Sequence, residues 1–499
     1  MIKQIVYFLL LFVLYLPACK DKDTLSSEAT IVRFSFLKKN NPSLSSNMGL
    51  EIADNKIKGN VPFNVSLDEL VATFEYTGVD IKIEGVSQVS DVTTNNYKEK
   101  LTYTIVAADR TTATYEAEII RFTGLPLVFI TTDNGEPIDS KEEYRKGNVE
   151  IVAGSEFENL DVEMKIRGRG NSTWWIGQNA KRPYQMKLSD KAEILGMPKD
   201  KKWILLADYS DKTMLRNKTA FELGYRSKLD WTPASVHAEV IINGEYNGTY
   251  LITQKVEESK NRVNIGKDGF LMEIDQLGRL DLDDIYFETA QFLINIKEPK
   301  LEKGDAEYNY ITAFMADFEV ALYGDDFKDS DLGYAGFIDV DSFIDWYMIN
   351  EISKNVDAKS FSSIYMHMIP GKKMKMGPIW DFDLGFGNVN YSSAEHPEGF
   401  RIKDNPWISR MFEDPSFVAK VKERFLYYRA NEALMLSTID DSSAKLNRSQ
   451  YENNRVWHTL GTYIWPNPVW YGTHQEEVDR LKGWIVERMD WLDEAYKEL

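Results

Sequence analysis

Asn355-Val356-Asp357, followed further along by Gly377-Pro378-Ile379-Trp380-Asp381-Phe382-Asp383-Leu384-Gly385, sets two acids, Asp357 and Asp381, 381 − 357 = 24 residues apart. That gap leaves room for a short hairpin between them. Transfer of a phosphoryl group asks little covalent chemistry of a protein, so positioning and metal-assisted charge neutralisation carry it. One carboxylate would meet the acceptor hydroxyl, and the other would hold Mg²⁺. The bland reading is a turn Asp at 357 and a polar rim on a buried strand at 381 and 383.

Working outward, the chain of 499 residues has room for two or three domains with substantial cores. A 43% hydrophobic and 13% aromatic composition with twelve Trp is that of a globular protein. The formal charge of −19, without a long basic run, argues against a nucleic-acid partner, because phosphate contacts need clustered Lys and Arg. The five His are scattered and the one Cys can form neither an internal disulfide nor a zinc cluster.

The position of that Cys is informative. Met1-Ile2-Lys3 and the apolar run Ile5 to Leu16 suit a signal peptide better than a permanent membrane span. The run ends Leu16-Pro17-Ala18-Cys19, which resembles a bacterial lipobox. The expectation is a signal peptide over residues 1–18, lipidation at Cys19 and a tether over residues 19–30, with Lys20-Asp21-Lys22-Asp23 resembling the surface-export signal of Bacteroidetes lipoproteins. Such a protein is anchored to the outer membrane rather than spanning it.

From Ile31 to Phe122 the pattern is one of short β-rich runs, including Ile31 to Phe36, Leu70 to Phe74, Tyr103 to Ala107 and Thr114 to Ile120. They predict a small all-β sandwich over residues 31–123 that resembles immunoglobulin-like modules. A boundary falls near Thr123-Gly124-Leu125-Pro126, and strands continue to about residue 207. Asp211 to Leu229 suits an amphipathic helix with an acidic cap. Val236 to Ile242 and Tyr246 to Val256 flank Asn243-Gly244, a preferred hairpin turn. Helical patterning dominates from Tyr308, most clearly over residues 405–499. The second domain, 124–499, is therefore α+β, a β-rich lobe followed by an α-rich lobe.

In that domain Arg167-Gly168-Arg169-Gly170-Asn171 follows a strand, where glycines let backbone amides approach phosphate and the arginines add pairable charge. In Tyr184-Gln185-Met186-Lys187-Leu188 an extended backbone puts Lys187 on the polar face, free to project into a cleft. A plain turn and a solvated strand explain these residues equally well on local grounds.

The ordered set is more specific: Lys165-x-Arg167-Gly168-x-Gly170-Asn171-Ser172-Thr173-Trp174, Lys181-x-Pro183-Tyr184-x-x-Lys187-Leu188, Trp203-x-Leu205-Leu206-Ala207-Asp208, Leu215-Arg216-Asn217, Asn243-Gly244-Glu245-Tyr246-x-Gly248-x-Tyr250-Leu251, Asn355-x-Asp357 and Gly377-Pro378-x-Trp380-Asp381-Phe382-Asp383. Together with Leu481 to Arg488, these resemble the spore-coat-protein-H (CotH) kinase family over about residues 124–499. The resemblance implies an atypical protein-kinase-like domain that uses ATP and Mg²⁺ or Mn²⁺ to phosphorylate Ser, Thr or another hydroxyl on an acceptor at the cell surface. It implies Asp357 as the catalytic Asp, Asp381 as a metal ligand, Asp383 as a second ligand or a partner of the first, and Lys187, Arg167, Arg169 and Asn171 as the ATP and phosphate grip. Two departures from ordinary protein kinases stand out: Ser362 replaces the metal-binding Asn, and Asp383 replaces the Gly of Asp-Phe-Gly. Glu222 and Glu257 are rival partners for Lys187. A second reading is a surface adhesin that keeps the fold without catalysis; a glycoside hydrolase built on the paired carboxylates has no other support in the chain.

Overall fold

The structure, a computed structural model, describes residues 25–44, 47–62, 65–153, 157–175, 177 and 180–499. Cys19 and the export segment lie outside the described residues. The chain divides into two compact units between Phe122 and Thr123.

In the first unit, strict alternation in segments such as Leu70–Thr77 turns every second side chain inward. A four-stranded sheet centred on Thr30–Phe36 and Leu70–Thr77 and a six-stranded sheet containing Lys56–Pro62, Thr112–Phe122, Leu101–Val106 and Asp80–Ile83 share one core. Lys56–Pro62 runs parallel to Thr112–Phe122, while the other long pairs are antiparallel. Phe34, Phe74 and Tyr103 meet in the centre, with ring centroids 5.3–6.1 Å apart.

The second unit opens with a closed seven-stranded barrel: β1 (Leu127–Thr132), β2 (Arg145–Val152), β3 (Leu160–Gly168), β4 (Tyr184–Ile194), β5 (Met197–Leu206), β6 (Ser235–Ile242) and β7 (Glu245–Gln254), in the order β1-β2-β3-β4-β5-β7-β6. The parallel β1–β6 pair closes it. Met164 and Ile166, Met186 and Leu188, Trp203 and Leu205, and Tyr250 and Ile252 fill its interior from alternate positions. Asn243 and Gly244 carry the β6–β7 turn at φ +50° and +75°, as that dipeptide predicts. The helix expected over 211–229 is shorter: α1 spans Arg216–Tyr225, because Asp211 spends its carboxylate on the Thr213 and Arg216 amides of the preceding turn.

A five-stranded sheet follows, formed by β8 (Phe270–Asp275), β9 (Ile285–Glu288), β10 (Leu293–Glu298), β11 (Ile364–Met368) and β12 (Lys375–Met376), ordered β9-β10-β8-β11-β12. One face, with Met272, Ile274, Ile294, Ile364 and Met366, enters the large helical core. The other carries Glu273, Asp275, Lys297 and Tyr365. The helices are α2 (Ala306–Tyr323), α3 (Val340–Ile352), α4 (Pro406–Met411), α5 (Pro415–Ala430), α6 (Glu432–Leu446), α7 (Ser449–Trp457) and α8 (His474–Lys497). The unit is thus β-rich first and helical later.

Eleven of the thirteen residues of α3 are buried, which makes it the central helix, and Asp339 caps its start by accepting from the Ser342 amide. At its other end Glu351 and Arg488 of α8 form an ion pair at 2.6 Å with both side chains wholly buried. Glu351 also accepts from the amides of Arg401, Ile402 and Lys403, and Arg488 donates to the carbonyls of Glu351, Pro397 and Gly399. Burying two charges is costly unless every polar atom is satisfied, and here the surrounding backbone supplies the partners. Nearby, Gly387 at φ +74° lies against Trp484, where an added Cβ would come within 2.4 Å of the indole nitrogen. Arg488→Ala strands the Glu351 carboxylate, so chemical denaturation should register a loss of about 3–5 kcal/mol; an unchanged midpoint would show that the pair is not a stability element.

Candidate active site

Beyond α3 the chain turns through Lys354, at φ +48°, into Asn355. Asn355 ties two distant segments together: its Nδ2 donates to the Asp381 carbonyl at 3.2 Å and its Oδ1 accepts from the Asp357 amide at 3.3 Å. Asp357 opens a short 3₁₀ turn, Asp357–Lys359, and remains partly accessible. Burial, with repulsion from Asp381 behind it, raises its carboxyl to about 6, against the opposing pull of Arg279 and Arg401.

Asp381 holds the left-handed conformation at φ +70°, strain of about 1 kcal/mol or more that neighbouring contacts must offset. Asn217 of α1 provides one of those contacts. Its Oδ1 accepts from the Phe382 amide at 2.8 Å, while its Nδ2 donates to Asp208 at 3.2 Å. Ser363 Oγ donates to Asp381 at 3.3 Å, and Ser210 Oγ to Asp383 at 3.4 Å. Behind Asp383, Asn388 donates to its carbonyl at 2.7 Å and accepts from Asn467 at 2.9 Å.

The acids crowd one another. Asp383 is held well above the usual carboxylate range, by burial first and then by Asp381, Asp208, Asp211 and Asp357. Asp208, buried at φ +46°, is raised above its ordinary value by burial and by Asp211. Positive charge comes from two groups. Arg169 lies 5.6 Å over the Trp380 ring and faces Asp381, Asp383 and Glu273, while burial pulls its guanidinium down from its ordinary value. Lys181, also buried, donates to the Thr249 carbonyl, sits 4.4 Å over the Tyr250 ring and is lowered by burial, with Asp208 opposing that shift.

Of the residues singled out in the sequence, Arg169, Asp357, Asp381 and Asp383 are therefore neighbours. Lys187 is placed elsewhere, on β4 between Lys165 and Lys202, with no contact tying it to these acids. Neither expected glutamate pairs with it: Glu257 holds Lys202 at 2.6 Å and also Arg262, while Glu222 faces Lys218 and Arg226. Arg167 lies 4.9 Å over Tyr144, Asn171 is exposed, and the Ser362 hydroxyl is buried without a hydrogen-bond partner. Lys181, Asp208 and Asn217 were present in the motif set without an assigned role. What their spacing could not say is that the ends of β3 and β5 and the start of α1 converge on the Asp-Phe-Asp segment.

Asp208, Asp381 and Asp383 offer hard oxygen donors, and Asp208 Oδ2 is buried with no hydrogen-bond partner. Carboxylate oxygens suit a hard divalent cation, and such a charge would relieve the like-charge crowding. Among the described residues, no group of three or more His, Cys, Asp or Glu side chains is arranged to hold a metal ion. Mg²⁺ is commonly held by one or two carboxylates together with substrate oxygens.

The chain belongs to the CotH kinase protein family, whose pattern matches residues 166–492. No curated protein matches it. A candidate secreted protein from Bacteroides fragilis aligns at 15% identity over 19% of this chain and 95% of its own, with a TM-score of 0.14. A candidate glycoside hydrolase from Bacteroides thetaiotaomicron aligns at 12% identity over 58% of this chain and 88% of its own, with a TM-score of 0.19. Neither superposition is close enough to define fold or chemistry. Among the described residues, no helix is long and apolar enough to cross a membrane.

Glu273, on the cleft-facing side of β8, accepts from the Ser363 amide at 3.1 Å and is raised by burial to about 7 from an ordinary 4.5. The folded state therefore keeps a proton that the unfolded chain releases between about pH 4.5 and 7, and this carboxyl's contribution to stability falls as pH rises through that window. In Glu273→Gln the fall across the window should flatten when melting temperature is followed against pH; an identical profile would refute the assignment.

Proposed function

We propose that this chain is an atypical, metal-dependent kinase with a protein-kinase-like two-lobed domain, transferring the γ-phosphoryl group of ATP to a Ser, Thr or other hydroxyl of an acceptor outside the cytoplasm. The observation that carries this reading is the cluster in which Asp357, Asp381 and Asp383 crowd together beside Arg169. Family membership supports the kinase class.

In this reading Asp357 accepts a hydrogen bond from the acceptor hydroxyl, orients its oxygen and takes its proton as the bond to phosphorus forms. Its raised affinity for protons brings it closer to the range where a base works near neutral pH. Asp381 and Asp383, supported by Asp208, hold the cation. When bound, the cation neutralises charge on the phosphates. Arg169 pairs with a phosphate oxygen, and Lys181 keeps Asp208 in place behind the cation ligands. Asn217 and Asn355 are positioning residues that fix the separation between the base and the metal-binding acids. The first unit, read as an immunoglobulin-like spacer, and an acyl chain on Cys19 would hold this domain at the outer membrane.

With γ-labelled ATP and Mg²⁺ or Mn²⁺, the protein should label itself or a surface-protein extract. Asp357→Asn and Asp381→Asn should each lower the rate by about 10²–10⁴-fold. Asp381→Asn should also lose the rise in melting temperature that Mg²⁺ and ATP give the parent protein, whereas Asp357→Asn should keep it. Labelling that survives Asp381→Asn would sink the metal assignment. For the anchor, palmitate incorporation in cells should disappear in Cys19→Ala; retention of label would exclude lipidation at this position.

A further inference from the structure

Lys187 stands in an arrangement its sequence position did not announce. Lys146 of β2 is paired across the sheet with Lys165 of β3, Lys165 with Lys187 of β4, and Lys187 with Lys202 of β5. Directly opposed residues project on the same face of a sheet, here the outside of the barrel, since Met164, Ile166, Met186, Leu188 and Trp203 fill the interior. Adjacent strands lie about 4.8 Å apart, so four ammonium groups form a row about 14 Å long. Like charges placed directly opposite one another are destabilising. Lys202 has Glu257 as a partner, but among the described residues no carboxylate pairs with Lys146, Lys165 or Lys187. In a chain of net charge −19 this is a local inversion of sign. Beside the row lies an open groove of about 920 Å³ whose lining includes Thr131, Thr132, Asn148, Ser189 and Lys201.

We propose that this lysine row is a docking track for an acidic stretch of polypeptide in the acceptor protein, which deepens the kinase reading and rests on it for its role in catalysis. About four or five residues of extended peptide cover 14 Å, and a run of Asp and Glu sets carboxylates against the ammonium groups, while the Thr, Asn and Ser side chains meet its backbone. Glu163 and Asp133 also line the groove, and the whole chain is acidic. Both features oppose a long uniform polyanion or an anionic membrane more than a short acidic segment. At its inner end the row continues towards the cleft: Lys202 neighbours Lys255, Lys255 neighbours Lys297, and Lys297 approaches Glu273 at 3.8 Å. A peptide held on the row would thus lead its flanking hydroxyl towards Asp357.

The test is fluorescence anisotropy of a labelled ten-residue Asp/Glu peptide with the full chain, alongside calorimetry with ATP. Lys146→Glu combined with Lys165→Glu should weaken the peptide at least tenfold and leave ATP affinity unchanged, and Lys146→Gln with Lys165→Gln should weaken it by less. Binding by the parent protein should also weaken from 50 to 200 mM salt. Peptide affinity that stays within twofold in both variants, or no binding by the parent at low salt, overturns the proposal. Tighter binding of single-stranded DNA, a sulfated glycan or phosphatidylglycerol vesicles than of the peptide overturns its choice of partner. Peptide binding that follows the lysines in a protein that transfers no phosphate supports the track and defeats the kinase reading instead.

Discussion

The Glu351–Arg488 pair is the interaction on which the rest of the second unit depends. It lies where α3 ends, and the next few residues supply nearly everything that sets the site. Phe386 donates its amide to the Ser353 carbonyl at 2.6 Å, Lys354 donates to the carbonyls of Ser393 and His396, and Asn355 joins the backbones of Asp357 and Asp381. The loop that follows Asp383 is thus wrapped around one helix end by an arginine from the last helix. A pair of charges in apolar surroundings is a weak source of stability compared with well-packed hydrophobic groups, but it is strict about geometry. Geometry is what a cleft with four carboxylates needs.

That cleft stores repulsion. Asp208, Asp357 and Asp381 all act on Asp383, Asp381 also acts on Asp357, and two of the four lie on left-handed backbone. Arg169 and Lys181 offset part of the charge but are themselves desolvated. The tension is held by amide side chains that carry no charge: Asn217, Asn355, Asn388 and Asn467. Neutral donors suit this task because they fix backbone positions without cancelling the negative field of the acids.

The sequence made the acids legible, along with the order of a β-rich and then a helical half, because strand alternation, the Asn243-Gly244 turn and the Asp-Phe-Asp run are local signals. Arg169 was legible as well, from its place in a glycine-flanked turn. Lys187 shows the limit of that reasoning. Alternation correctly put it on the polar face of its strand, but which lysines share that face is decided by register with Lys146, Lys165 and Lys202 on other strands. Lys181 stood six residues earlier in the same motif and was passed over, because nothing in the spacing reveals that its neighbourhood is the buried Asp208 rather than solvent. Glu257 failed as a partner for Lys187 for a similar reason: Arg262, five residues along, and Lys202, on β5, reach it first.

The position of Arg488 gives the site a place in time. Glu351 is joined by a partner 137 residues downstream, so the end of α3 cannot reach its final arrangement until nearly all of the catalytic half has been delivered. A chain that ends before Arg488 lacks the donor that reaches the Glu351 carboxylate and the Pro397 and Gly399 carbonyls. The arrangement of the loop behind Asp383 is thereby tied to the presence of the last helix.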